Sequence, residues 1–167
     1  MNWTRTILDG LMMAAYFNFF AMAVVLCNNR LMFPCYPDAL QEAAPEPPTK
    51  GEKTFYWVWI CVFMLIPLLA YAIASAHNAG MTGFWPLAIS GFVQWNMVSL
   101  CDLLFLDWFG ITKLRDKLVV PGTEGHEMYE TANWMKKYAL PEHLLQWPLI
   151  MAPLMGAIQG GIGILLH

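Results

Sequence analysis

From Thr54 to Cys101 the chain carries no Asp, Glu, Lys or Arg, and this gap in the charge pattern restricts the fold more than any other feature. A stretch of this length cannot lie on a water-exposed surface, and it is too long for one buried helix. Its middle holds Ala76-His77-Asn78-Ala79-Gly80 and then Pro86, residues of turn and helix-breaking chemistry. It therefore reads as a hairpin of two membrane-crossing helices, each needing about 20 apolar residues to traverse the hydrocarbon core.

Two further stretches, Gly10 to Cys27 and Leu144 to Leu166, are equally free of formal charge. The predicted spans are thus 10–27, 55–75, 83–106 and 144–166, the third interrupted only by Asp102. Their apolar runs are continuous rather than alternating, which fits helices and not barrel strands. Hydrophobic residues make up 58% of the chain and charged residues 13%, against about 25% charged in an average soluble domain. A chain of 167 residues has too much surface to cover with so few charges in water. The expected architecture is all-α: one domain, residues 1–167, forming an integral membrane bundle of four transmembrane helices. The first span follows Arg5 and Asp9 and ends at Cys27-Asn28-Asn29-Arg30; it lacks a small-residue cleavage site and reads as an anchor, not a signal peptide.

Sidedness follows from the basic residues, which cytoplasmic loops retain. Arg30, Lys50 and Lys53 fall between spans one and two; Lys113, Arg115, Lys117, Lys136 and Lys137 fall between spans three and four. Only Arg5 lies opposite, so both termini and the hairpin are expected on the non-cytoplasmic side. Tryptophans favour the headgroup level, which assigns Trp3 and Trp85 to the outer interface and Trp57, Trp59, Trp108 and Trp147 to the inner one. Trp95 falls mid-span, as a packing residue or lipid contact. The first long loop is proline-rich, from Phe33-Pro34-Cys35-Tyr36-Pro37 to Pro45-Glu46-Pro47-Pro48, and is expected to be a semi-rigid surface loop. In the second, Met128 to Ala139 mixes Tyr129, Trp134 and Tyr138 with lysines, the pattern of a short interfacial helix on the membrane surface.

Counting about 1.5 Å per residue, Asn18, Gln94, Asn96 and Gln159 share one layer in the outer half, as interhelical hydrogen bonds or a small polar pocket. Ala152, Gly156 and Gly160 recur at four-residue spacing and predict close helix packing, within the bundle or between protomers. Asp102 is an ionisable group inside a span, which by default marks function. Ser99 is one turn away, whereas Asp107, about 140° around an α-helix from Asp102, reads as a solvated helix-end residue. Glu124, His126, Glu127, Glu142 and His143 are the groups able to meet Asp102 at the inner mouth. Together Asp102, Glu124, His126 and His143 form the candidate site, suited to acid–base chemistry or ligand orientation. A structural alternative pairs Asp102 with Arg115, Lys117 or His143.

No HExxH, HxxxH or ExxH repeat occurs, so no metal is assigned, and no cofactor follows from the sequence. The cysteines Cys27, Cys35, Cys61 and Cys101 lack CxxC spacing and are expected to be free thiols. With a net charge of −3 and no basic run, nucleic acid is not an expected partner. The expected partners are the lipid bilayer and a second copy or another membrane protein. Three functions fit: an accessory or scaffold subunit of a membrane assembly or homo-oligomer; a membrane-embedded enzyme or binding protein for a lipid-like or small hydrophobic molecule; and a small transporter or channel.

Overall fold

In the computed structural model, which describes residues 1–166, the first helix begins where Asn2 can cap it. The Asn2 side chain accepts from the Arg5 N–H at 3.1 Å, and α1 runs Trp3–Cys27, seven residues earlier than the apolar run alone predicts. A 3₁₀ turn, Asn29–Cys35, and a short helix α2, Asp38–Ala43, follow. Thr49 and Glu52 then form a capping box, each side chain bonded to the other's backbone N–H at 3.2 and 2.8 Å. That box starts α3, Lys50–Asn78. Gly80, at φ +75°, ends it in the left-handed conformation that glycine adopts without penalty. Next come α4, Phe84–Lys113, the short α5, Arg115–Leu118, and α6, Thr131–Leu165.

The helices α1, α3, α4 and α6 are long and apolar enough to cross a membrane, and all the described helical content packs as one α-helical bundle. Each helix outruns its apolar core because capping and loop contacts, not hydropathy, set its ends. Large apolar side chains such as Phe19, Phe63, Leu149 and Leu154 remain exposed on the outer faces. In water such a belt is an aggregation surface; against acyl chains it has no cost.

The α4 helix is the spine of the bundle and packs along both α1 and α6. At the α4–α6 contact glycines set the distance. A Cβ on Gly156 would lie 2.5 Å from the Ala88 carbonyl oxygen, and one on Gly160 2.9 Å from the Phe84 ring. Ala152 is fully buried beside them. The small-residue face of α6 is therefore used inside the chain. Both termini and the α3–α4 hairpin lie at one end, where the Asn2 N–H reaches Met81 Sδ at 3.4 Å; the two long loops lie at the other.

At the hairpin end Asp9 is fully buried. It accepts from Tyr71 Oη at 2.9 Å, Ser75 Oγ at 2.7 Å and Arg5 Nε at 3.2 Å, joining α1 to α3. The sequence gives only a weak cue, a basic residue four positions before an acidic one. Asp9→Ala leaves the buried Ser75 O–H without its acceptor, although Ser75 Oγ still accepts from Arg5 Nε at 2.6 Å, and leaves Arg5, 44% exposed, access to water. The expected cost is about 1–3 kcal/mol, read as a lower midpoint in thermal unfolding in detergent micelles.

Both long loops differ from expectation. The first is not a surface loop throughout: Phe33 and Leu40 are fully buried and Tyr36 donates its hydroxyl to the Leu118 carbonyl at 2.9 Å. Nor is Met128–Ala139 a separate interfacial helix. From Thr131 it is the beginning of α6, with Tyr129 and Trp134 buried and stacked 6.3 Å apart. The physical reason is common to both. Aromatic residues that either loop would leave at the headgroups find each other instead, with Tyr36 edge-on to Trp134 at 5.8 Å, and bury more apolar surface than a membrane interface offers. Burial holds the Tyr36 and Tyr129 phenols above the usual range, so both remain neutral donors. Arg30 fastens this cap to α3 through a forked pair with Glu52 at 2.8 and 2.9 Å.

Candidate ligand cavity

Three of the four long helices are widened in their loop-end halves. Turns with i→i+5 bonding occupy Trp59–Leu65, Leu103–Gly110, Met135–Ala139 and Glu142–Met151. Pro67 has no N–H to give the Phe63 carbonyl, and Tyr16 Oη donates to that oxygen instead at 3.0 Å. Such wide turns recur at functional sites. Here they matter because positions five apart come to one face.

Asp107 is the clearest case. The expectation of a solvated helix-end residue, turned away from Asp102, assumes α-helical geometry. The Leu103–Gly110 stretch is π-helical instead, and both carboxylates meet His143. Asp107 is buried; it accepts from Trp134 Nε1–H at 2.8 Å on Oδ1 and from His143 Nε2–H at 2.8 Å on Oδ2. The other ring nitrogen, Nδ1, is 2.8 Å from Ser99 Oγ. Asp102 Oδ2 lies 3.8 Å from His143 Nε2, and its Oδ1 is buried without a hydrogen-bond partner. With Asp107 as carboxylate, Nε2 carries the proton and Nδ1 accepts from Ser99. A protonated imidazole donates to Ser99 instead, since a hydroxyl serves either role. The Ser99–His143–Asp107 chain therefore tolerates both charge states of the ring.

These groups border a partly open cavity of about 340 Å³ at the loop-end half of the bundle. Its walls come from α1, the first loop, α3, α4 and α6, and include Tyr36, Tyr56, Trp59, Trp95, Tyr138 and Trp147. Asp102 is the most accessible acid of the cluster, with 22% of its side chain exposed against 10% for Asp107 and 2% for His143. Glu142 and Gln146 also line the cavity, and they continue into an open vestibule of about 580 Å³ shared with Pro37, Gln41 and Lys137. The loop-end halves of α3 and α6 diverge here; the two helices touch near the hairpin end.

Of the candidate site residues, the structure brings together Asp102 and His143. Glu124 and His126 sit elsewhere on the second loop. Glu124 accepts from the Gly122 N–H at 2.9 Å, which with its own N–H holds the carboxyl below the usual range. His126 Nδ1 accepts from the Met128 N–H at 3.1 Å as a turn cap. Asp102 pairs with His143 and with neither Arg115 nor Lys117. In the amide layer Gln159 Nε2 donates to Gln94 Oε1 at 3.1 Å, linking α4 to α6. Asn18 and Asn96 each bond a carbonyl of their own helix, at 2.9 and 2.8 Å. Trp59 and Trp147, expected at the interface, face the cavity, while Trp3, Trp57, Trp85 and Trp108 are exposed.

Among the described residues no group of three or more His, Cys, Asp or Glu side chains is arranged to hold a metal ion; Asp107 and His143 bond each other rather than converging on a point. All four cysteines are free. Burial raises the Cys35 thiol well above its ordinary range, so it stays protonated, donating to the Met32 carbonyl at 2.8 Å. The chain matches no known protein family, curated protein or solved structure.

Proposed function

We propose that the protein is a membrane-embedded binding protein for a small, largely apolar molecule whose polar end is held by Asp102. One observation carries the reading: an aromatic-walled cavity beside a buried carboxylate oxygen that has no hydrogen-bond partner. Buried polar atoms are normally satisfied, and an unpaired one beside a cavity marks where a ligand group belongs. Behind Asp102 the His143–Asp107–Ser99 chain gives a proton somewhere to go, so the site is equipped to bind a protic group and to exchange its proton. On the charge pattern of the loops, the vestibule faces the cytoplasmic leaflet.

A scaffold subunit is less well supported, because the small-residue face of α6 that pointed to association packs against α4. A channel is less well supported because fully buried Trp95 and nearly buried Met155 close the hairpin end of the cavity.

Titration of the detergent-solubilised protein with 4-bromobenzyl alcohol, followed by quenching of tryptophan fluorescence, tests this reading. The wild type is expected to show a saturable phase with one site per chain. Ala21→Trp, which fills the cavity from α1, is expected to retain only the linear quenching of partition into the micelle. Asp102→Asn should weaken binding about tenfold, the equivalent of one hydrogen bond to a charged group. Linear quenching in the wild type would refute the site.

A further inference from the structure

The cavity has an electrostatic character that its apolar volume alone does not require. Three carboxylates line it, Asp102, Asp107 and Glu142, and among the described residues no Lys or Arg does. Among the described residues no Lys or Arg forms an ion pair with them: Lys137, at the vestibule, is held by Glu127 at 2.7 Å, and Arg30 is held by Glu52. Among those residues His143 is the basic group in contact with the acids. Even when the imidazole is protonated, the acids outnumber it. Negative charge in a low-dielectric site is expensive, and among the described residues only His143 stands against it.

The walls point the same way. Aromatic residues reach the cavity from every long helix: Phe17 on α1, Tyr56 and Trp59 on α3, Trp95 on α4, and Tyr138 and Trp147 on α6. Ring faces are the negative ends of their quadrupoles and attract cations, most strongly when water is excluded. Carboxylates alone would suit a metal or a water cluster, and aromatic rings alone would suit any apolar molecule. Their combination in one cavity selects a charge carried on carbon-rich groups.

Building on the proposed binding site, we propose that the ligand is a lipophilic organic cation, an amine or quaternary ammonium group, with its charge against Asp102 and its apolar substituents against the rings. Two sources present this chemistry at the membrane: a free cationic amphiphile, and the headgroup of a choline lipid entering between the diverging halves of α3 and α6.

The test compares two probes of the same shape, benzyltrimethylammonium and its uncharged carbon isostere neopentylbenzene, bound to the full-length protein in phosphatidylglycerol nanodiscs. Isothermal calorimetry supplies the affinities, with protein-free nanodiscs subtracted. The cation is expected to bind at least tenfold more tightly than the isostere. Asp102→Asn and, separately, Glu142→Gln should each reduce that preference at least threefold, and Ala21→Trp should abolish binding of both probes. The ratio of the two probes within one variant is insensitive to general loss of fold, and circular dichroism confirms that each variant remains helical.

Equal binding of the two probes, or a preference unmoved by Asp102→Asn, overturns the cationic assignment while leaving a neutral-ligand site in place. Absence of saturable binding by either probe overturns the assignment and the site together. Repeating the titration in phosphatidylcholine nanodiscs separates the sources. Loss of benzyltrimethylammonium affinity there identifies the lipid headgroup as occupant, and unchanged affinity identifies a free cation; both are forms of the proposal.

Discussion

Gly156→Ala is expected to cost about 1–3 kcal/mol, although alanine is the better helix former by about 1 kcal/mol. The added methyl would sit 2.5 Å from the Ala88 carbonyl oxygen and 2.9 Å from the Phe92 nitrogen. Both are backbone atoms in the first third of α4, so no rotamer change relieves the overlap. The helices must separate, and separation also strains the Gln159–Gln94 bond one turn away. Gly161 supplies the control. Nothing lies within 4 Å of its would-be Cβ, so Gly161→Ala should be neutral or stabilising by up to about 1 kcal/mol. Unfolding midpoints in a mixed-micelle denaturation series measure both. If Gly156→Ala matches Gly161→Ala, the tight α4–α6 contact is wrong.

Asp107→Ala is expected to have the largest effect in the site, about 2–5 kcal/mol. It leaves the Trp134 indole N–H and the His143 imidazole N–H buried without acceptors, and each stranded donor costs about 1–3 kcal/mol. Asp107→Asn should be far milder, because the ring can change tautomer. The asparagine amide donates to His143 Nε2, Nδ1 then carries the proton and donates to Ser99, and the asparagine oxygen still accepts from Trp134. The expected result is near-wild-type thermal stability with an exchange of the two imidazole ¹⁵N shifts in NMR. Equal destabilisation by both substitutions would show that charge, not hydrogen-bond matching, is what the site requires.

The spans were legible because hydropathy needs only composition along the chain, and Asp102 stood out because it interrupts one of them. His143 was legible as a partner, since it opens the fourth apolar run on the side where Asp102 lies. Asp107 was not, because its assignment depended on the angle between positions five apart, and that angle changes when an α-turn becomes a π-turn. No residue pattern in Leu103–Gly110 announces the change; it becomes visible only through what the stretch packs against. Loop folding failed for a related reason. Proline and aromatic residues mark both extended loops and caps, and which one forms depends on whether rings from the other loop, such as Tyr36 and Trp134, arrive to cover them. The small-residue spacing on α6 was plain, but spacing cannot say which helix comes close, and it is the position of Ala88 and Phe92 that answers this. Asp9 was read as part of a charged flank because it lies before the apolar run. Its burial follows from α1 starting at Trp3, which places it against Ser75.

The distribution of wide turns has a mechanical consequence. Hairpin-end packing rests on direct backbone contact, a glutamine pair and the bonds around Asp9, all on regular α-turns. At the opposite end three of the four long helices are under-wound and spaced by side chains around the cavity. A bundle made this way has the outline of a clothes-peg, its spring at Gly156 and Gly160 and its jaws held apart by the aromatic cap.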